Sequence, residues 1–304
     1  MLLYTHPACI AHLPGIGHPE SPARLRAVLE SLDHDRFAAL DRIEAPRATR
    51  AQLARVHDDA LIEDIAAAAP SEGFVRLDAD TLMSPDSFEA ALRAAGAVCA
   101  AVDALIDEKA TRAFCAVRPP GHHATRASAM GFCLFNNVAV GTAHALARGL
   151  KRVAIVDFDV HHGNGTQDIF WNDARVLYAS THQSPLYPGT GAADETGVGN
   201  IVNAPLPAAA SSFAFREACR EIVLPAVNRF RPELVMISAG FDAHYLDPLA
   251  NLNLGADDYD WITRELVEIA RRHAKGRVVS SLEGGYSLTA LRQSTAAHVG
   301  AMLD

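Results

Sequence analysis

Hydrophobic and polar positions along this 304-residue chain fall into two alternating patterns. Short apolar runs at 113–117, 153–156, 176–179, 234–238 and 278–282 have the length of strands and end in polar or glycine-rich segments. Between them, apolar residues recur at helical spacing. Phe88, Ala91, Leu92, Ala95, Val98, Val102 and Leu105 do so behind Ser84-Pro85, which offers an N-cap and a proline at the first helical position. Ser21-Pro22 opens another helix carrying Leu25, Val28, Leu29 and Leu32, and further helices are expected over 137–149, 213–229, 257–274 and 287–302. Strands alternating with helices of crossover length predict an α/β protein, a parallel sheet covered on both faces. No repeat or Gly/Ser-rich linker divides the chain, so a single domain over 1–304 is expected.

The residues that end the apolar runs carry the chemistry. Arg118-Pro119-Pro120-Gly121-His122-His123 follows the first and the Asp/His-rich 157–162 segment the second; Ser180-Thr181-His182 follows the third. Gly240-Phe241-Asp242-Ala243-His244 and Glu283-Gly284-Gly285-Tyr286 follow the last two. In a parallel sheet these ends form one rim at the carboxyl edge, where active sites of such sheets lie. The segment Asp157-Phe158-Asp159-Val160-His161-His162 is the sharpest feature. On a strand Asp157, Asp159 and His161 would project to one side. Their mixture of carboxylate and imidazole suits Zn²⁺ or Fe²⁺ better than Ca²⁺ or Mg²⁺.

Composition narrows the class without naming an activity. A net charge of -9 argues against a general nucleic-acid binder and is compatible with cationic substrates or simply with solubility. The five cysteines are scattered and contain no Cys-x-x-Cys pair, so neither a disulfide framework nor a thiolate zinc site is indicated. No signal sequence and no membrane span are expected from the apolar pattern, and a reducing, cytoplasmic setting fits best.

Taken together, His18-Pro19-Glu20-Ser21-Pro22-Ala23-Arg24, the His122-His123 pair, the 157–165 segment, Tyr187-Pro188-Gly189-Thr190-Gly191, Gly240-Phe241-Asp242 and Glu283-Gly284-Gly285-Tyr286 resemble the zinc-dependent histone deacetylase family, including its bacterial deacetylase and acetylpolyamine amidohydrolase branches. The resemblance covers nearly the whole chain. It implies an arginase-like open sheet of eight parallel strands and a metal-dependent amidohydrolase that removes an acyl group from an amine.

By position, the resemblance makes Asp159, His161 and Asp242 the ligands of the catalytic metal, and two carboxylates would formally cancel a dication. It makes His123 the general base and later acid, His122 its electrostatic support, Asp157 the partner of His122 and Asn164 the partner of His123. Tyr286 becomes the donor to the oxyanion. Phe132 and Tyr187 become the walls of a narrow tunnel, with Gly131 beside them. Asp80 falls at the rim, as a substrate-holding acid or an ordinary loop carboxylate. Arg24 lies near an inner acetate pocket, or anchors the first helix. Leu249 stands where polyamine specialists can carry a glutamate, which favours acetyl-lysine over acetylpolyamines. Potassium is implied at Asp157, Asp159, His161, Ser180 and Thr181, with a second monovalent site near Phe170, Asp173 and Val176. The expected partner is an acylated amine, with no direct nucleic-acid binding, in a monomer or homo-oligomer. Two rivals are a binuclear manganese ureohydrolase, for which the aspartates are too few, and a non-catalytic reader of acylated lysine.

Overall fold

The computed structural model describes residues 1–304. Its strands are β1 (Leu2–Thr5), β2 (Asp41–Glu44), β3 (Val75–Arg76), β4 (Leu82–Met83), β5 (Arg112–Cys115), β6 (Val153–Asp157), β7 (Val176–Gln183), β8 (Ile201–Leu206), β9 (Leu234–Ala239) and β10 (Val278–Leu282). Eight of them form one sheet in the order β2-β1-β5-β10-β9-β6-β7-β8. Every pairing in it is parallel, while β3 and β4 make a small antiparallel pair. The expected α/β class and eight parallel strands are both found.

The five strands legible as apolar runs are adjacent in this order, β5-β10-β9-β6-β7. Four of them, β6, β7, β9 and β10, are buried along their whole length. Helices cover both faces there, so such strands need apolar residues at every position. The outer strands read differently. The edge strand β2 is Asp-Arg-Ile-Glu and mostly exposed, and β8 at the other edge carries Pro205, which an edge position tolerates. One contiguous core of 82 buried residues runs through the sheet and its helices. No helix is long and apolar enough to cross a membrane.

Three expectations are corrected. The long helix starts at Ser87 rather than at Ser84-Pro85 and runs to Ile106. Ser84 instead forms a turn in which its Oγ accepts the Leu13 amide at 3.0 Å and its amide donates to Ser87 Oγ at 2.7 Å. The 213–229 helix is broken into Ser212–Ala218, a π turn at Cys219–Val223 and Leu224–Phe230. Pro225 has no amide hydrogen and its ring crowds the preceding turn, so regular bonding cannot continue through it. Strand β7 extends to Gln183, because β8 pairs with it from Tyr178↔Ile201 to Gln183↔Leu206. Ser180, Thr181 and His182 therefore lie within a strand and not in a loop beyond it.

Candidate active site

Strand β6 ends at Asp157, and the chain then folds through bonds between each aspartate and the backbone that follows. Asp157 Oδ1 accepts the Asp159 amide at 3.1 Å and Asp159 Oδ1 accepts the His161 amide at 2.9 Å. This turn, rather than a pleat, brings Asp159 and His161 together, and Asp157 faces a different partner. The loop after β9 supplies Asp242, whose Oδ1 accepts the Val160 amide at 2.8 Å. The loop after β10 supplies the Gly284 amide to Asp159 Oδ2 at 2.8 Å. A Cβ at Gly284 would strike both carboxylates, so only glycine permits this approach.

One donor atom from each of Asp159, His161 and Asp242 lies within 4.8 Å of the others. His161 Nδ1 is 3.1 Å from Asp159 Oδ1 and 3.2 Å from Asp242 Oδ2. Asp242 Oδ2 is buried and has no hydrogen-bond partner. Burial, then the charge of Asp159, pushes the Asp242 carboxyl up to about 7. Burial opposes charge on His161 as well, but Asp159 and Asp242 draw its pKa up to about 10. Two buried carboxylates around one imidazole, with Asp242 Oδ2 making no aligned hydrogen bond, are electrostatically suited to a cation. The donor set fits a catalytic Zn²⁺ or Fe²⁺, three protein ligands with room for more.

The loop after β5 brings the two histidines to the same place. Its backbone is held by Glu283, whose Oε2 accepts the amides of Gly121 at 2.6 Å and His122 at 3.1 Å. His122 Nδ1 lies 3.0 Å from Asp157 Oδ2, and the Tyr178 hydroxyl donates to that same oxygen at 3.1 Å. His123 Nδ1 lies 2.8 Å from Asn164 Oδ1. An amide oxygen only accepts, so Nδ1 carries the proton and Nε2 is free to take one. The two environments separate the rings. Burial opposes charge on His122, yet Asp157 and Asp159 hold its pKa up at about 10. Burial, then the neighbouring His122 and His161, holds His123 well below its ordinary 6.5.

A cavity of about 240 Å³ opens above this cluster. Asp80, His123, Gly131, Phe132, His161, Leu186, Tyr187, Leu249 and Tyr286 line it. Tyr187 and Leu249 are exposed at its mouth, and His123 and Gly131 are buried at its floor. Phe132 has a left-handed backbone at φ 68°. It is held there by its amide bond to Thr81 Oγ1 at 3.0 Å and by the His18 ring 4.7 Å away. Gly131, at φ +58°, sits so close that a Cβ would enter the His123 ring. Burial, then the charge of Asp78, raises the Asp80 carboxyl. Burial keeps the Tyr286 hydroxyl far above 10 and therefore protonated.

Arg24 does not line the cavity. It is buried beneath it, with Nε donating to the Gly285 carbonyl and Nη2 to the Glu283 carbonyl, both at 2.5 Å. Its Nη1 meets Glu20 at 2.8 Å, and its guanidinium lies 4.9 Å from the Tyr286 ring centre. It thus ties its helix to the loop that carries Tyr286. Ser180 is the cross-strand partner of Asp157, and neither it nor Thr181 reaches the cavity. The carbonyls of Phe170, Asp173 and Val176 converge, but on the Asn200 carboxamide, which donates to them at 2.8, 3.2 and 2.9 Å. Tyr178, Thr81 and Glu283 received no role from the sequence reading. Tyr178 hides in an apolar run, Thr81 is remote in sequence from Phe132, and Glu283 was legible only as part of its motif.

Residues 18–302 match the histone deacetylase domain family. The chain is 39% identical over 290 residues to a probable deacetylase of Archaeoglobus fulgidus, covering 93% of this chain and 80% of that protein. It is 42% identical over 278 residues to a histone deacetylase-like amidohydrolase of Pseudomonas aeruginosa, covering 89% and 73%. The solved HDA15 HD domain superposes with a TM-score of 0.95 at 35% identity, over 99% of this chain and 87% of that one. With matches of this extent and a site assembled from the same segments that carried the resemblance, the chain belongs to the histone deacetylase family and is a hydrolase of the deacetylase and amidohydrolase type.

Proposed function

We propose that this chain, acting as one catalytic domain, hydrolyses the amide of an N-acylated amine, with N-ε-acetyl-lysine in a protein or peptide as the preferred substrate. The observation that carries this reading is that the Asp159, His161 and Asp242 group reaches, through His161, a cavity that His123 and Tyr286 also line. Asp159, His161 and Asp242 would hold Zn²⁺ or Fe²⁺. When bound, the ion would polarise the acyl carbonyl and acidify a water molecule.

The alkyl chain of the substrate lies between Phe132 and Tyr187, where apolar walls exclude water. The protonated Tyr286 hydroxyl donates to the acyl oxygen as charge develops on it. Neutral His123 takes a proton from water at Nε2 as the water oxygen bonds to the acyl carbon. The carbon–nitrogen bond then breaks, and His123 returns the proton to the leaving amine. The products are a carboxylic acid and a free amine. His122, held by Asp157, supplies positive charge beside the site without leaving its place. The opposite displacement of the two histidine pKa values supports this division of labour.

Leucine at 249 presents no charge to a second ammonium group, which supports acetyl-lysine over acetylpolyamines. Asp80 at the rim would accept hydrogen bonds from substrate amides. A structural potassium ion would be held through the backbone around Asp157, Asp159, His161, Ser180 and Thr181; the adjacency of Asp157 and Ser180 across β6 and β7 supports that placement.

The test is steady-state turnover of the metal-loaded protein on acetyl-lysine peptides and on acetylated putrescine and spermidine, with chelated enzyme and Tyr286→Phe as controls. A higher kcat/KM on the peptide is expected, with Tyr286→Phe reduced by about two to three orders of magnitude. Preference for the polyamines would overturn the substrate assignment. No turnover on any acyl-amine would overturn the reaction.

A further inference from the structure

Asp247 is a buried carboxylate, 7% exposed, in the loop that follows Asp242. Its Oδ2 accepts the amides of Tyr286 at 2.7 Å and Ser287 at 3.2 Å. Its Oδ1 accepts the amide of Leu249 at 3.0 Å. One side chain thus closes the turn of its own loop at Leu249 and ties that loop to the distant Tyr286–Ser287 backbone. One loop carries the hydroxyl that faces the acyl oxygen, and the other carries the apolar residue at the cavity mouth.

The Tyr286 ring is held by packing, under the Arg24 guanidinium and edge-on to Phe132 with 5.9 Å between ring centres. Neither contact is a directional hydrogen bond. The Gly285–Tyr286 peptide is instead held on both sides, its carbonyl accepting from Arg24 Nε at 2.5 Å and its amide donating to Asp247 Oδ2 at 2.7 Å. The reach of the hydroxyl is therefore set by where the Tyr286 amide is pinned. Amides bonded to a carboxylate make stronger contacts than amides bonded to neutral acceptors, and here three converge on one buried group. Because Asp247 sits in the loop that carries Leu249, its long-range bonds to Tyr286 and Ser287 join the oxyanion donor to the substrate entrance.

We propose that Asp247 is a positioning residue that sets the Tyr286 hydroxyl against the acyl carbonyl and, through its other oxygen, holds Leu249 at the mouth, so that substrate entry and oxyanion stabilisation share one anchor. The inference rests on the deacylation reading above. Asparagine at this position keeps the shape but offers only one accepting oxygen, so one of the two loops is released.

The experiment is a double-mutant cycle on the metal-loaded enzyme with an acetyl-lysine peptide, comparing wild type, Asp247→Asn, Tyr286→Phe and the combination. Asp247→Asn should lower kcat about 10- to 100-fold, the scale of a misplaced oxyanion donor, while KM changes less than about 3-fold. In the Tyr286→Phe background the same change should cost less than about 3-fold, because the hydroxyl it positions is gone. The ratio of kcat/KM for acetyl-lysine peptide to that for acetylspermidine should shift in both backgrounds through Leu249. Equal losses in the two backgrounds, or a loss confined to KM, would overturn the proposal. If Asp247→Asn does not fold by circular dichroism, Asp247→Glu carries the same cycle, since it keeps the charge and displaces both loops by one methylene. An inactive wild type with no response to Tyr286→Phe would instead condemn the deacylation reading, whereas an active wild type with an additive cycle condemns only this inference.

Discussion

Replacing Asp242 by asparagine should stabilise the chelator-treated protein and destabilise the metal-loaded one. The carboxyl is 1% exposed, and its Oδ2 makes no aligned hydrogen bond, with His161 Nδ1 3.2 Å away. Burial first, and the charge of Asp159 next, raise its pKa from the ordinary 3.8 to about 7, although His161 opposes the shift. Without metal, the folded state holds an extra proton across that window. Stability then declines as pH rises from about 4 to about 7, and the whole penalty is present above pH 7. Three pH units correspond to about 4 kcal/mol as a ceiling. Local relaxation and entry of water would leave about 1–2 kcal/mol. Asparagine keeps the Oδ1 that accepts the Val160 amide and removes one of the two negative charges, leaving His161 facing Asp159 at 3.1 Å. Metal reverses the sign. At a free concentration one hundred times its Kd, a bound ion adds about 2.7 kcal/mol to the wild type, and the variant forfeits most of that. The assay is urea unfolding at pH 8 of both proteins, with chelator and with Zn²⁺. A chelated Asp242→Asn protein less stable than chelated wild type would refute the reasoning that the second carboxylate charge destabilises the metal-free site.

Three further outcomes are expected. Asn164→Asp would set a carboxylate against His123 Nδ1 and raise the pKa of the base by about 1–3 units, so the acid limb of kcat/KM should move to higher pH; an unmoved limb would exclude His123 as the base. Glu20→Gln should cost about 3–5 kcal/mol, since it strips a buried carboxylate from Arg24 and Arg118. Burial opposes the charge of Glu20, but Arg118, His12 and Arg24 hold its carboxyl well below 4.5, so its stability is present above pH 4.5 and is lost as pH falls through the folded value; acid unfolding of wild type and variant measures the difference. Leu249→Glu should shift selectivity toward acetylpolyamines by about fivefold, the worth of one half-exposed ion pair near 1 kcal/mol, and an unchanged ratio in paired turnover assays would show that another group reads the second ammonium.

The legibility of this chain depended on burial. Strands β6, β9 and β10 were readable because a sheet covered on both faces demands unbroken apolar runs. Their polar ends stood out by contrast, and the family resemblance then singled out Asp159, His161, Asp242, the histidine pair and Tyr286 among them. Edge strand β2 has no such constraint on its exposed side and left no pattern. Ser84 carried a capping signal, yet Leu13 and Ser87 compete for its hydrogen bonds and the helix starts later.

The amino-acid sequence by itself determined the fold class, the carboxyl-edge rim and the chemical character of the site, because these follow from local periodicity and from which donor types stand at the strand ends. Only the tertiary structure decided the bonds between distant segments. Asp247 holding Tyr286, Glu283 holding the histidine loop, Thr81 fixing Phe132 and Asn200 capping three carbonyls are all side chains reaching the backbone of a distant segment. Every residue offers the same amide and carbonyl, so such a partner leaves no trace in residue identity. It becomes visible only when folding brings the side chain and the backbone it serves within hydrogen-bonding distance.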